Sequence, residues 1–270
     1  MLGQLNMVGL NKVETAIERL KTFEPLEGYY LAFSGGKDSI VIKELANMAG
    51  VKYDAHYNLT TVDPPELVQF IKEYHKDVIT EIPRNKDGSR ITMWNLIPKK
   101  LMPPTRMVRY CCEVLKEGGG EGRFTVTGVR WAESSRRKNT RAGLEINFNK
   151  KKDGEFLDPD NPDNAQIARI CPTKGKHILN PIIDWEDDDV WEFIHTRDIP
   201  YCKLYDQGYT RLGCIGCPLG SKATEELERN PTYKRAYLKA FEKMLVVRTE
   251  KGKDTEWKIS QDVMDWWLSN

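Results

Sequence analysis

A loop that binds phosphate is indicated by the string Ser34-Gly35-Gly36-Lys37-Asp38-Ser39. Its two glycines let the backbone approach an anion closely, and backbone N–H groups at such a turn converge on negative charge. Lys37 adds a positive charge, Ser39 adds a hydroxyl donor, and Asp38 is suited to holding Mg²⁺ or to orienting the loop. The spacing matches neither Gly-x-x-x-x-Gly-Lys-Ser/Thr nor Gly-x-Gly-x-x-Gly. We therefore predict a nucleotide phosphate site of another type, in preference to a simple glycine-rich turn.

Four of the six cysteines form two close pairs of the kind that hold a metal centre: Cys111, Cys112, Cys214 and Cys217. Four thiolates are the usual ligand set of an iron–sulfur cluster, and the ending Cys217-Pro218 is typical of ferredoxin-type cluster loops. Zinc is the alternative, although adjacent cysteines are poorly suited to binding one zinc ion. We predict a 4Fe–4S cluster in preference to zinc. Cys171 and Cys202 lack such a partner and are interpreted as small buried or half-exposed thiols.

The net charge of +1 conceals a strong segregation along the chain. Residues 84–152 hold 17 Lys and Arg against 6 Asp and Glu, a balance of +11, which leaves −10 for the remainder. Such a basic block is either a solvated surface or a binding site for a polyanion, and charge alone does not decide between them.

The elements that must position these residues follow from the alternation of apolar runs. Helical spacing of apolar residues from Leu10 to Leu20 predicts a first helix, and further helices are expected after the phosphate loop, over 64–74, after Asp184 and beyond Thr224. Strands are expected over 28–33, 51–59, 78–82, 124–129 and 178–183. Alternating strands and helices predict an α/β fold with a parallel twisted sheet flanked by helices, and ligands bind at the carboxyl ends of such strands.

The remaining sequence suggests one main domain with an appendage. Residues 147–164 are rich in Lys, Asp, Asn and Pro, which indicates a surface loop or hairpin insertion. We expect a nucleotide-binding domain over 1–220 and a C-terminal helical extension over 221–270 packed on it. Apolar runs are too short to cross a bilayer and the start lacks a signal peptide's pattern, so we expect a cytoplasmic protein without membrane segments.

In its strand and helix setting, SGGKDS resembles the PP-loop of the adenine nucleotide alpha hydrolase-like superfamily, whose members bind ATP or adenylylated sulfate. The segment from Pro181 to Cys214 is similar to the C-terminal part of the phosphoadenylylsulfate and adenylylsulfate reductase family. Gly128-Val129-Arg130, with Ser134 and Arg136, resembles that family's arginine-bearing turn near the nucleotide. Together these motifs span most of residues 28–220.

The resemblance implies a set of site residues. Nucleotide contacts are expected from Ser34, Gly35, Gly36, Lys37, Asp38, Ser39, Asp63, Arg130 and Arg136, with Lys37 and Asp38 also in catalytic roles. Asp63 enters because the family contacts adenosine at the end of its second strand; N-capping of the following helix is the alternative. The adjacent pair Cys111-Cys112 resembles the cluster-binding pairs of adenylylsulfate reductases.

One departure from the family concerns the attacking thiol. Thiol-dependent reductases of this family use a cysteine in a C-terminal Glu-Cys-Gly-Leu-His motif, and this chain has no cysteine after Cys217. Unless Cys171 or Cys202 substitutes, the sulfonucleotide has no attacking thiolate, and covalent catalysis requires one. The loss counts against reductase activity.

The resemblance then points to an ATP pyrophosphatase of sulfur transfer, as in DNA phosphorothioation systems or tRNA thiolation. ATP with Mg²⁺ would adenylylate an acceptor, for which the basic block favours nucleic acid, and sulfur would displace AMP. A cysteine desulfurase or another sulfur donor and a homodimer are further expectations. The alternatives are a sulfonucleotide reductase that uses an external thiol, and a non-enzymatic nucleotide or redox sensor.

Overall fold

The computed structural model describes residues 2–3, 11–147, 154–164, 177–220 and 222–269. The chain divides into two compact units, each built from discontinuous segments. The sheet unit comprises Met1–Tyr57, Gln69–Thr80 and Gly119–Arg211, and the cysteine unit comprises Asn58–Val68, Glu81–Gly118 and Leu212–Asn270. The predicted division into 1–220 and 221–270 stays a prediction.

The described strands form one seven-stranded sheet: β1 Tyr29–Ala32, β2 Tyr53–Asn58, β3 Ile79–Glu81, β4 Phe124–Val126, β5 Leu144–Asn147, β6 Gly154–Leu157 and β7 His177–Leu179. Their order is β3-β2-β1-β4-β7-β5-β6. The pairs β1–β2, β1–β4 and β4–β7 are parallel, whereas β5 pairs antiparallel with β6 and β7. The predicted α/β fold with a mostly parallel sheet is confirmed.

The described helices are α1 Lys12–Thr22, α2 Lys37–Ala49, α3 Pro65–Tyr74, α4 Met93–Lys100, α5 Tyr110–Leu115, α6 Ser135–Thr140, α7 Asp187–Thr196, α8 Ala223–Arg229, α9 Pro231–Glu250 and α10 Ser260–Ser269. Helix α1 begins with a capping box in which the Asn11 side chain accepts from the Glu14 N–H while Glu14 accepts from the Asn11 N–H. Helix α2 ends at Gly50, whose φ of +68° gives the left-handed cap that glycine adopts without strain.

Two predicted sheet features differ in detail. The predicted insertion is a β5–β6 hairpin that extends the sheet through β5, in register with β7. Strand β7 ends at Leu179 rather than at Ile183, because Pro181 has no N–H to donate to a neighbouring strand and the Ile183 N–H turns back to the Asn180 carbonyl, 3.2 Å away. Ile182 and Ile183 are nevertheless fully buried, which explains their strand-like sequence pattern.

The cysteine unit has its own apolar core. Tyr237 and Phe241 of α9 pack against Trp267 of α10, with ring centroids 4.7 and 5.5 Å from the Trp267 ring. The Trp267 indole N–H donates to the Pro104 carbonyl at 2.6 Å, so the C-terminal helix is joined to the segment that precedes α5. Cys111 of α5 and Cys214 both pack against this core, which therefore supports the two segments that carry the paired cysteines. In the described part of the chain, no helix has both the length and the apolar composition to cross a membrane.

Candidate nucleotide site and cysteine group

The phosphate loop lies at the point where the sheet order reverses. Strand β1 has β2 on one side and β4 on the other, so the connections that leave β1 and β4 diverge and a crevice forms at their carboxyl ends. Residues 33–36 follow β1 directly and lead into α2, while Gly128 and Arg130 follow β4. Both motifs that the sequence singled out in this unit therefore meet at one edge of the sheet.

The backbone of the loop leaves the start of α2 without a side-chain cap. Gly35 has a φ of +73°, a conformation that favours glycine, and Gly36 is the N-cap residue. Because glycine has no side chain, the N-cap residue offers no side-chain acceptor to the first turn of α2. First-turn amides have no acceptor within their own helix and carry the positive end of the helix dipole. This arrangement is suited to a negatively charged ligand.

Lys37 is buried, and its ammonium group is held within the sheet unit. Its Nζ lies 3.3 Å from the Thr210 carbonyl oxygen, 3.4 Å from an Asp187 carboxylate oxygen and 3.9 Å from Oδ2 of Asp38. Its backbone N–H donates to the Tyr205 hydroxyl at 2.9 Å. Lys37 therefore supplies a fixed positive charge at the start of α2.

Arg130 connects the loop to the start of α7. Its Nε donates to Asp38 at 2.7 Å, its Nη2 to Asp187 at 2.6 Å, and its Nη1 to the Trp185 carbonyl at 3.2 Å. Partial burial opposes ionisation of Asp187, but the hydrogen bond from Arg130 and the charge of Lys37 lower its pKa overall. The guanidinium is only 1% exposed, so the geometry supports a role in positioning Asp38.

Gly128 is a position where two backbones nearly touch. A Cβ at this residue would lie 3.0 Å from the backbone and Cβ of Asp38. Only glycine permits this approach without a shift of the neighbouring helix, so Gly128 fixes the distance between the β4 loop and α2.

A group of arginines lies near the loop. Arg136 is exposed on α6, whereas burial and the charges of Arg211 and Arg141 lower the pKa of Arg137 to about 10. Arg141 donates to Glu145 of β5 at 2.6 Å, and Asn180 donates to the same carboxylate oxygen at 3.0 Å. The nucleotide contact predicted for Arg136 stays a prediction, and Arg137 and Arg211 are cations that the sequence reading did not single out.

Asp63 lies in the cysteine unit and is buried. Its carboxylate accepts the Thr60 N–H at 2.7 Å, and its backbone carbonyl accepts the Tyr233 hydroxyl at 2.9 Å. These bonds fix the turn that precedes α3, in which Thr61 has a φ of +68°. The adenosine contact predicted for Asp63 stays a prediction.

The two cysteine pairs belong to the same unit. Cys111 and Cys112 lie on α5, and Cys214 and Cys217 lie on a turn anchored by a 2.8 Å bond from the Ile215 N–H to the Val62 carbonyl. Gly216, with a φ of +69°, reverses the chain between the second pair. We call the four residues the cysteine group; each is a half-buried free thiol.

Interactions within the cysteine group shift the pKa values of Cys111 and Cys112 in opposite directions. The hydrogen bond between Cys111 and Cys112, and then burial, raise the pKa of Cys111. The same hydrogen bond and the Lys116 charge lower the pKa of Cys112, although burial opposes this shift. The charges of Cys214 and Cys217 also raise the pKa of Cys111. Loss of water around the Lys116 ammonium lowers its pKa, but the charges of Cys214 and Asp63 raise it overall. A cation thus lies within electrostatic range of these thiols.

The geometry does not support the predicted metal centre. In the ranges that the structure describes, no three His, Cys, Asp or Glu side chains are arranged to hold a metal ion. Cys111 and Cys112 are adjacent in α5 and hydrogen-bond to each other, and the Cys111 thiol lies within electrostatic range of Cys214 and Cys217. Neither a 4Fe–4S cluster nor zinc is shown at the cysteine group, so the predicted metal centre stays a prediction.

Cys202 and Cys171 are the two cysteines that could substitute for the missing attacking thiol. Cys202 is 1% exposed, which agrees with its interpretation as a buried thiol. Cys171 lies outside the described residues.

Comparison with known families identifies the class of protein. The family model for the phosphoadenosine phosphosulfate reductase domain matches residues 28–220, more than half of the chain. The chain therefore belongs to the phosphoadenosine phosphosulfate reductase domain family, as its motifs predicted.

Individual relatives in this superfamily have different activities. A probable FAD synthase of Caenorhabditis elegans is 27% identical over 217 residues, covering 76% of this chain and 33% of that protein. An adenosine 5'-phosphosulfate reductase of Staphylococcus haemolyticus is 24% identical over 203 residues, covering 68% of each chain. The chain spans half the length of one Methanocaldococcus jannaschii relative and a third of the worm enzyme.

A solved structure agrees on the fold. The phosphoadenylyl-sulfate reductase of Candida auris, crystallised as a phosphate complex, superposes with a TM-score of 0.50 at 15% identity. The match covers 77% of this chain and 90% of that chain.

Proposed function

We propose that the phosphate loop binds an adenine nucleotide and that the protein cleaves the bond between its α- and β-phosphates. The observation that carries this proposal is the glycine-rich start of α2 at the reversal of the sheet, with the Lys37 charge fixed beside it. Membership of a family whose relatives include a probable FAD synthase and adenylylsulfate reductases supports an adenine nucleotide as ligand.

The residues of the loop would act on the leaving group. An acceptor oxygen attacks the α-phosphorus, its bond to the pyrophosphate oxygen breaks, and negative charge grows on pyrophosphate. Amides at the start of α2 and the Lys37 ammonium would stabilise that charge. Asp38 has one carboxylate oxygen bonded to Arg130, which orients the residue, and Oδ2 is the candidate contact for Mg²⁺. Bound Mg²⁺ would supply charge neutralisation on the phosphates.

The finer proposal is sulfur transfer to an adenylylated acceptor. Once the acceptor oxygen carries AMP, the outer sulfur of a persulfide donor can form a bond to the activated atom as the bond to AMP breaks. A second thiol would then free the thiolated acceptor by forming a disulfide with the donor. The excess of basic residues supports a nucleic-acid acceptor, and a cysteine desulfurase or another persulfide donor would supply the sulfur. No step is assigned to an iron–sulfur cluster. Iron and acid-labile sulfide counts on anaerobically purified protein decide whether the cysteine group rearranges to bind one.

Pyrophosphate release from ATP tests the nucleotide chemistry. We expect release with Mg²⁺ and an RNA or DNA acceptor, reduced at least 100-fold by Lys37→Ala. Lys72→Ala, which removes an exposed charge from α3 in the same unit, is the control and is expected to retain full activity. Release that is equal in wild type and Lys37→Ala, or absent with every acceptor class, would contradict the proposal.

A second candidate is a sulfonucleotide reductase that uses an external thiol. The match to the family domain favours it, and the burial of Cys202 explains why an outside thiol would be needed. Incubation with each sulfonucleotide and reduced thioredoxin separates the candidates. Sulfite release would establish the reductase, whereas nucleotide binding without turnover of either kind would indicate a sensor.

A further inference from the structure

One backbone amide of the phosphate loop already has a hydrogen-bond partner in the sheet unit. The Lys37 N–H, the first amide of α2, donates to the Tyr205 hydroxyl at 2.9 Å. The same hydroxyl lies 3.4 Å from the point where a Cβ on Gly36 would stand. The phenol oxygen therefore lies directly against the start of the helix.

The chain segment that follows makes a second contact with the same residue. The Thr210 carbonyl accepts from Lys37 Nζ at 3.3 Å. Two backbone bonds hold this segment in a turn, from the Gly208 N–H to the Tyr205 carbonyl at 3.1 Å and from the Tyr209 N–H to the Leu204 carbonyl at 3.2 Å. Residues 205–210 thus contact both the amide and the ammonium of Lys37, the two groups expected to face a nucleotide phosphate.

The Tyr205 ring is held in place, but its hydroxyl competes only weakly with a phosphate oxygen for the Lys37 N–H. Trp191 packs against the ring edge-on, with centroids 5.1 Å apart. Burial raises the pKa of Tyr205, so the phenol stays neutral. A hydrogen bond to a charged phosphate is stronger than one to a neutral hydroxyl.

We propose that Tyr205 sets the nucleotide affinity of the loop by occupying the first amide of α2, and that a phosphate oxygen replaces its hydroxyl on binding. The inference rests on the proposed nucleotide function. Removing the hydroxyl leaves the amide without its partner, so the phosphate no longer has to displace one neutral hydrogen bond. A bond of that kind corresponds to an affinity change of roughly three- to tenfold.

The matched pair Tyr205→Phe and Tyr201→Phe isolates this hydroxyl. Both keep an aromatic ring in the same cluster, but the Tyr201 hydroxyl bonds Asp206, at 3.0 Å, instead of the first amide of α2. Thermal unfolding of each variant establishes that it is folded. Titration calorimetry with Mg²⁺ and the α,β-methylene analogue of ATP, which resists cleavage, measures the affinity.

We expect Tyr205→Phe to bind the analogue about three- to tenfold more tightly than wild type, with Tyr201→Phe within twofold of wild type. Unchanged or weaker binding by Tyr205→Phe, while wild type binds, would overturn the inference and leave the proposed function intact. An equal gain in Tyr201→Phe would also overturn it, since the effect would then belong to the aromatic cluster. Absence of binding by wild type and by Tyr205→Phe would contradict both.

Discussion

At the residue scale, Arg130 makes contacts within the fold that its sequence motif did not indicate, and its predicted nucleotide contact stays a prediction. Its sequence motif suggested a contact with the nucleotide, yet the guanidinium is 1% exposed and bonds Asp38, Asp187 and the Trp185 carbonyl. Loss of the guanidinium would remove these hydrogen bonds and leave Lys37 as the cation beside both carboxylates. The orientation of Asp38 and Asp187 therefore depends on Arg130.

Replacement of Arg130 by Ala is expected to lower the free energy of unfolding by about 1–3 kcal/mol, because a buried side chain and its hydrogen bonds are lost. Urea unfolding monitored by circular dichroism measures this loss. Lys138→Ala removes an exposed charge from α6 and is expected to change stability by less than about 0.5 kcal/mol. A loss below about 1 kcal/mol for Arg130→Ala would show that the network contributes little to folding.

His75 predicts a stability change in mild acid. Burial among Phe33 and Phe70, and then the nearby Lys43 charge, lower its pKa to about 4, despite the opposing charge of Asp77. The folded state therefore favours the neutral form of the His75 ring. Stability from this group is complete above pH 6.5 and is lost as pH falls towards 4, because the unfolded state takes up the proton first. The loss amounts to about 1–3 kcal/mol.

The difference between wild type and His75→Asn isolates this titration from that of the carboxylates. Unfolding free energies measured every half unit from pH 7.5 to 4 should converge as the pH falls, since only wild type loses the His75 contribution. Parallel curves would show that His75 titrates alike in the folded and unfolded protein.

At the scale of elements, the close approach of the β4 loop to α2 controls the geometry of the phosphate loop. Gly128→Ala would place a Cβ 3.0 Å from Asp38, so one backbone must shift. We expect a loss of about 1–3 kcal/mol in stability and a fall of about fivefold or more in nucleotide affinity. Gly118→Ala, where a Cβ meets nothing within 4 Å, is the matched control. Unchanged affinity in Gly128→Ala would mean that this distance does not determine binding.

The sequence alone was sufficient to predict features that depend on residues close together in the chain. Apolar alternation and glycine placement located β1, the loop and α2 to within a few residues, since strand, turn and helix are decided locally. The same holds for α7, whose three first-turn carboxylates are favoured by the helix dipole.

Contacts between residues far apart in the sequence could not be predicted from its patterns. Tyr205 lies 168 positions from Lys37, and the spacing of neither residue signals their bond. Asp187 looked like a simple first-turn acid until the fold placed it beside Arg130. The cysteine spacing suggested a metal centre, but spacing does not fix ligand geometry, and the described residues contain no three His, Cys, Asp or Glu side chains arranged to hold a metal ion.

At the scale of the whole molecule, the basic block does not belong to one unit. Residues 84–118 contribute 8 basic and 3 acidic residues to the cysteine unit, and residues 119–152 contribute 9 and 3 to the sheet unit. The balances of +5 and +6 add to the +11 of the block. Each unit therefore carries its own excess of positive charge.

A nucleic-acid acceptor predicts salt-dependent binding. Fluorescence anisotropy with a labelled oligonucleotide should show affinity falling at least about tenfold between 50 and 200 mM salt, because bound phosphates release counterions. Lys99→Glu with Lys100→Glu, in the basic block, should weaken binding more than Lys72→Glu with Lys76→Glu, the same charge change outside it. Equal effects of the two pairs, or no binding at 50 mM salt, would count against a nucleic-acid partner.

Direct measurement of nucleotide binding tests the central claim. Calorimetric titration of wild type with ATP and Mg²⁺ is expected to show one site, weakened at least tenfold in Lys37→Ala and unchanged in Lys72→Ala. If wild type binds no nucleotide, or if Lys37→Ala binds it as tightly as wild type does, the loop at the start of α2 is not a phosphate site.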